Sequence, residues 1–163
     1  MVDTVAVGWF DGAEVELEEP ETSVDAIALE NFLKLTAQDR LNASRHVHAY
    51  YLDFHDAAGG EDWLDSQMGI PATPEDIWNH VQPQLLFVAS RDDMPGHSYV
   101  VVEANCDWEE EHGLMLVWKD GKRLTKVGGY NGHLSNVWAF ANNALENVVY
   151  AASDPRFQTL LEP

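Results

Sequence analysis

The stretch from His97 to Asn136 constrains the fold more than any other part of the chain. It reads as three consecutive β-strands, Ser98–Cys106, Gly113–Trp118 and Arg123–Val127, each an apolar or alternating run bounded by turn signals. Asp120-Gly121 is a hairpin signal between the last two, because both residue types tolerate the positive φ of a tight turn. In the first strand, a period of two puts Val100, Val102, Ala104 and Cys106 on one face. Tyr99, Val101, Glu103 and Asn105 fall on the other, and the first set reads as the core face. Strands joined this closely pair antiparallel, so an antiparallel sheet is the frame on which the rest must pack.

The flanking segments supply further elements. Val5–Phe10 and Glu14–Glu18 alternate around Asp11-Gly12 as a hairpin, which Pro20 ends. Thr22 or Ser23 caps a first helix whose apolar side carries Ala28, Leu29, Phe32, Leu33 and Leu35. Thr36 to Asp39 signals a second helix running from about Ala37 to Ala58, stopped by Gly59-Gly60. Its apolar side holds Ala43, Val47, Tyr50, Tyr51, Phe54 and Ala58. Glu61–Thr73 reads as an irregular connection, and Thr73-Pro74-Glu75-Asp76 opens a short helix to about Val81. Leu85–Ala89 and Asn147–Ala151 add strands, and Gly128 to Gly132 forms a loop.

No repeat, low-complexity tract or linker divides the chain, so residues 1–163 read as a single domain. The expected fold is α+β: an antiparallel sheet of about five to seven strands with two long helices packed on one face. Its expected core includes Phe32, Leu33, Val47, Tyr50, Phe54, Val100, Val102, Leu114, Leu116 and Val149.

Charge narrows the partners. The 163 residues carry 9 Lys+Arg against 28 Asp+Glu, a formal net charge of −19. Phosphate recognition needs clustered basic groups, so nucleic acid is not an expected partner, and anionic membrane surfaces are disfavoured for the same reason. The field favours solubility and attracts basic partners or cations; adaptation to a salty habitat accounts for it equally well. Cys106 stands alone, so no internal disulfide forms, which fits a reducing cytoplasm. The N-terminus lacks the basic n-region of a signal peptide, and no apolar stretch reaches the roughly 20 residues of a membrane span. The expected location is cytoplasmic.

Several constellations hold chemistry-bearing groups. The run Asp107-Trp108-Glu109-Glu110-Glu111-His112 follows a strand and offers carboxylates and an imidazole to a divalent cation or to acid–base work. Consecutive turn residues point apart, so they do not all converge on one atom. The inverted zincin pattern H-x-x-E-H would need a histidine where Trp108 stands, and H-E-x-x-H and EF-hand patterns are absent. Cys106 has candidate bases in His97, His112 and His133, yet its place on the core face reads as a buried thiol. His46, His48 and His55 on the second helix lack a chelating spacing. Asn131-Gly132-His133-Leu134-Ser135-Asn136 gathers polar groups on a loop, read equally as a site or as a locally satisfied turn. Among six tryptophans, Trp108 and Trp138 adjoin polar loops and are the expected surface anchors. No phosphate-binding loop or nucleophile elbow occurs, so no catalytic residue, metal site or cofactor is assigned.

The segment Ala104–Ser135 resembles a family of uncharacterised bacterial proteins of unknown function. Its members share a strand, an acidic W-E-x-E-H-G turn, a D-G hairpin and a following polar loop, here Trp108, Glu109, Glu111, His112, Gly113, Asp120 and Gly121. The helical stretch LTAQDRLNASRHVHAYYLDF is similar to members with an extended N-terminal region, so the resemblance covers about two-thirds of the chain. It brings no activity with it. Small acidic domains of this kind also resemble, by analogy, immunity proteins of bacterial toxin systems.

The leading functional reading is therefore a non-enzymatic binding protein, immunity-like, whose acidic surface holds a basic protein partner. Its expected partner-binding residues are Trp108, Glu109, Glu110, Glu111, His112, Asn131, His133 and Trp138. Two alternatives stand beside it. One is a hydrolase or small-ligand enzyme with a site near Cys106, Glu111, His112 and His133. The other is a divalent-cation module using Asp107, Glu109 and Glu111. Exposed strand edges permit a homodimer while like-charge repulsion favours a monomer, and both stay open.

Overall fold

The computed structural model describes residues 3–60 and 62–162. Among them, eight strands form one sheet in chain order: β1 (Thr4–Val7), β2 (Ala13–Leu17), β3 (Val81–Ala89), β4 (Tyr99–Cys106), β5 (Leu114–Lys119), β6 (Arg123–Gly128), β7 (Val148–Tyr150) and β8 (Thr159–Leu160). The fold is α+β as expected, but the sheet exceeds the predicted five to seven strands and is not wholly antiparallel. The β2–β3 and β6–β7 pairs are parallel; the other neighbours are antiparallel. Parallel neighbours need a long crossover. The helical region between β2 and β3 is one, and the loop and short helix between β6 and β7 are the other. The two-residue β8 is too short to show any period in sequence.

The helices are α1 (Ser23–Leu33), α2 (Ala37–Asn42), α3 (Ser44–Ala57), α4 (Asp62–Met68) and α5 (Asn136–Phe140). Thr22 caps α1, its hydroxyl accepting the Asp25 amide at 3.1 Å. The single long helix expected from Ala37 to Ala58 breaks at Ala43, where φ is −98° and ψ is 2°. There the Ser44 hydroxyl donates to the Leu41 carbonyl at 2.8 Å and accepts the Trp78 indole N–H at 2.9 Å. A serine that competes for a backbone carbonyl bends a helix. The connection expected to be irregular contains α4; Glu61, at its start, lies outside the described residues. Pro74–His80 is a 3₁₀ turn.

The first face of the sheet carries the main core. Val100, Val102, Leu114, Leu116, Val149, Phe32, Val47 and Tyr50 are buried as expected, with Leu33 and Phe54 partly buried against them. At its centre, the Trp118 ring lies 5.0 Å from Trp9 and 4.5 Å from Phe32. Trp9 and Phe10 are both buried although adjacent, which a strand facing one core does not allow. A 3₁₀ turn over Gly8–Phe10 replaces the end of the expected strand and turns both rings inward. The Asp120-Gly121 turn presses on α1: a Cβ at Gly121 would lie 1.9 Å from the Ala28 carbonyl oxygen.

The predicted facing of β4 holds, with Val100, Val102, Ala104 and Cys106 in the main core. Its other face is covered at the Tyr99–Val101 end. Tyr99, Val101, Met115 and Val117 form a second cluster, packed by Phe87, Leu134 and Trp138. The segment after β6 thus lies over one part of the second face. The part nearer β2 remains open and carries Glu14, Glu16 and Glu18 as exposed residues.

Candidate functional site

The turn joining β4 to β5 shapes the site. Glu109 is its organiser. One carboxylate oxygen accepts the Glu111 amide at 2.9 Å, and the other accepts the His112 amide and meets the His112 Nδ1, each at 2.9 Å. The Glu109 carbonyl accepts the Gly113 amide at 3.1 Å. Gly113 takes φ +64°, and a Cβ there would lie 2.7 Å from the Ala104 carbonyl oxygen, so glycine alone fits the exit of the turn. Asp107 turns aside to His80 Nδ1 at 2.9 Å.

These bonds sort the acidic run. Glu109 braces the backbone and Asp107 pairs with the His80 and Gln82 side chains, while Glu110, Glu111 and His112 are exposed. Trp108, expected as a surface anchor, is instead 1% exposed. It lies beneath α3, edge-on to Tyr50 at 5.5 Å and to Tyr51 at 6.1 Å. The turn folds back over the helix side, so the large ring fills core volume.

Beside the turn, a groove of about 220 Å³ opens on the second face of the sheet. Glu103 and Asn105 of β4, Gln84 of β3, Glu110, Glu111 and His112 of the turn, and Tyr130 line it. No lysine or arginine among the described residues does. The Tyr130 amide donates to the His112 carbonyl at 3.1 Å, which ties the start of the polar loop to the turn. Glu103 belonged to the polar face of β4 in the sequence; Tyr130 had no signal.

The loop residues serve other ends. The Asn131 carboxamide oxygen and the His133 carbonyl both accept from the Lys126 ammonium, at 2.5 and 2.8 Å. Lys126 is 1% exposed with no carboxylate partner among the described residues, and burial pushes its pKa down to about 8. Trp138 packs edge-on to Tyr99 at 5.7 Å. Tyr99 opens β4 whereas the turn follows its last residue, so Trp138 lies at the other end of the strand from the acidic turn. The eight predicted residues therefore divide into five on the turn, two that clamp Lys126, and Trp138 at the far end of β4.

The chemistry open to these groups follows from their placement. Cys106 is buried on the helix side and its thiol donates to the Glu109 carbonyl at 3.3 Å. Burial pushes that thiol up to about 12, which leaves it protonated and un-nucleophilic at neutral pH. Among the described residues, Glu109, Glu111 and His112 offer ligand atoms within 4.8 Å of one another, so these three could hold a divalent cation. Both Glu109 oxygens already accept amide hydrogens.

Among the described residues, no helix is long and apolar enough to cross a membrane. No curated protein and no solved structure matches the chain. A family model described as a domain of unknown function, DUF6985, matches residues 3–134, a span that takes in β1 to β6, the acidic turn and the clamp over Lys126; the chain belongs to that family.

Proposed function

We propose that the chain is a non-catalytic, immunity-like binding protein that holds a basic protein partner in the groove beside the acidic turn. One observation supports this best: Glu103, Glu110 and Glu111 wall the groove together with Tyr130, and no basic side chain but His112 joins them. A partner arginine or lysine entering there pairs with carboxylates and stacks on an aromatic ring. The net charge of −19 steers such a partner inward and repels nucleic acid and anionic membranes. In this reading residues 1–163 act as one domain in a reducing cytoplasm, as a monomer or homodimer. Glu110, Glu111 and His112 make contact, and Trp108, Glu109, Asn131 and His133 hold the surface in shape.

The test compares three tagged proteins in capture from native lysate at low and high salt: wild type, Glu103→Gln/Glu111→Gln, and a control Glu30→Gln on α1. A basic protein retained by wild type and control, lost by the groove variant and lost at high salt, supports the reading. Equal capture by all three contradicts it.

The cation-binding reading keeps one supporting observation, the closeness of Glu109, Glu111 and His112. Calcium or manganese bound only by the folded state must raise the melting temperature. An unchanged temperature at millimolar metal removes that reading.

A further inference from the structure

A cavity of about 210 Å³ opens on the helix side of the sheet, at the end of β5 away from the acidic turn. The buried rings of Trp9, from the Gly8–Phe10 turn, and of Trp118, from β5, form part of its wall. Leu35, just after α1, and Leu124 of β6 add apolar sides. The exposed Lys122 and Arg123, where β5 turns into β6, stand at its mouth.

Two buried donors in this wall lack an acceptor. Trp9 is 2% and Trp118 0% exposed, and neither indole N–H has a hydrogen-bond partner among the described residues. An indole N–H can only donate, and buried polar groups are ordinarily satisfied. The neighbouring Trp78, edge-on to Trp9, keeps to that rule: its indole donates to the Ser44 hydroxyl at 2.9 Å. The Trp9 and Trp118 rings stand at 81° with centroids 5.0 Å apart, so one ligand can touch both. In such an edge-on pair one N–H at most meets the other's ring face, and that contact is weak.

The charge at the mouth is opposite in sign to that of the chain. Lys122 and Arg123 are adjacent, they are two of only 9 basic residues, and neither forms an ion pair among the described residues. The Arg123 guanidinium donates to the Glu162 carbonyl, which leaves its charge unanswered. The two acids that also line the cavity are engaged elsewhere. Asp39 accepts the Thr36 amide at 2.8 Å in its own helix cap, and Glu162 pairs with Arg45 at 2.8 Å.

We propose that this cavity binds a small organic carboxylate. The carboxylate is an acceptor only, which is what two orphaned donors require. Its oxygens accept from the Trp9 and Trp118 indoles, Lys122 and Arg123 offset its charge, and its short apolar body lies against Leu35 and Leu124. Such a site combines an apolar lining with a few polar groups that fix orientation. The net charge of −19 repels anions at long range, so selectivity rests on these local groups. The cavity stands apart from the acidic groove, and neither proposal depends on the other.

The probe is sodium butyrate, titrated into the labelled full chain at neutral pH and constant ionic strength, with the assigned indole N–H signals followed. Butyramide, which lacks the charge, and inorganic phosphate, which lacks the apolar body, are the controls. The proposal expects saturating shifts of the Trp9 and Trp118 indole signals, while those of Trp78, already bonded, and the exposed Trp63 stay in place. Butyrate should bind about tenfold or more tighter than either control. Lys122→Gln/Arg123→Gln should weaken it by about tenfold or more, and Lys34→Gln on α1 should leave it unchanged. These substitutions alter exposed side chains and leave the core intact. Trp9 and Trp118 signals that do not move in a saturable way overturn the proposal. So does equal binding of the three compounds, or an unchanged affinity in the double variant.

Discussion

One carboxylate oxygen of Glu109 lies 2.9 Å from both the amide nitrogen and the ring Nδ1 of His112. The most buried acid of the run, with 12% of its side chain exposed, thus holds the turn together, while the exposed Glu110 accepts only from the Gln67 carboxamide at 3.3 Å. Glu109→Ala should strand the amides of residues 111 and 112 and cost about 1–3 kcal/mol. Glu110→Ala should stay within about 0.5 kcal/mol. Urea midpoints of the two variants decide: equal values would show that the turn does not rely on Glu109.

Trp108 fills the space between the turn and α3, against Tyr50 and Tyr51. Trp108→Ala should therefore destabilise by about 3–5 kcal/mol, through lost burial and the cavity left behind. A midpoint near that of wild type would return this ring to the surface.

The sheet was legible where period and turn chemistry agree, as in β4, β5, β6 and the Asp120-Gly121 turn. The face assignment of Val100, Val102, Ala104 and Cys106 survived because one register satisfies both the turns and the core. What failed has local causes. Ser44 broke a helix whose apolar spacing reads as continuous. Trp9 and Phe10 left strand geometry so that both could be buried. Trp108 looked exposed because its sequence neighbours are acids, yet side chains on a turn need not share an environment. Lys126 was missed, although Leu124 and Val127 hold the clue. Both are buried in the main core, three residues apart in one strand, which requires an interruption of the alternation. The register shifts there, pairing Trp118 with Leu124 but Val117 with Lys126, and the lysine turns to the second face.

Lys126 gives a signature in alkaline stability. Burial lowers its folded pKa to about 8 from an ordinary 10.5. Below pH 8 both states are protonated and the burial cost is carried in full. Between pH 8 and 10.5 the folded protein releases the proton while the unfolded chain keeps it, so stability rises with pH. The gain is about 3 kcal/mol across that window. Tyr50 and Tyr150, raised by burial, act oppositely above pH 10. The difference between wild type and Lys126→Met therefore isolates the lysine. A difference that stays flat from pH 8 to 10 would mean that the ammonium is not buried unpaired.

His46 gives the acid counterpart. Burial, with the neighbouring Arg45 charge adding to it, lowers its pKa from 6.5 to about 4. Its Nδ1 lies 2.7 Å from the Thr159 hydroxyl, which also accepts the Tyr150 amide at 3.1 Å. This hydrogen bond between the neutral ring and the hydroxyl ties α3 to β8. Between pH 6.5 and 4 the unfolded chain takes up a proton that the folded protein refuses, so stability falls by about 3 kcal/mol as pH drops. His46→Asn, which keeps an acceptor but does not titrate, should flatten that limb of the stability profile. An unchanged limb would assign acid sensitivity to the carboxylates instead.

The acidic groove carries the functional account, and a map of where a basic ligand settles tests it most directly. A short arginine-containing peptide is titrated into the labelled chain at physiological salt, and amide shifts are followed. The account predicts the largest shifts at Glu103, Glu111, His112 and Tyr130, and their loss in Glu103→Gln/Glu111→Gln. Shifts concentrated on the exposed acids of β2, Glu14 and Glu16, with the groove unmoved in wild type and variant alike, would contradict it.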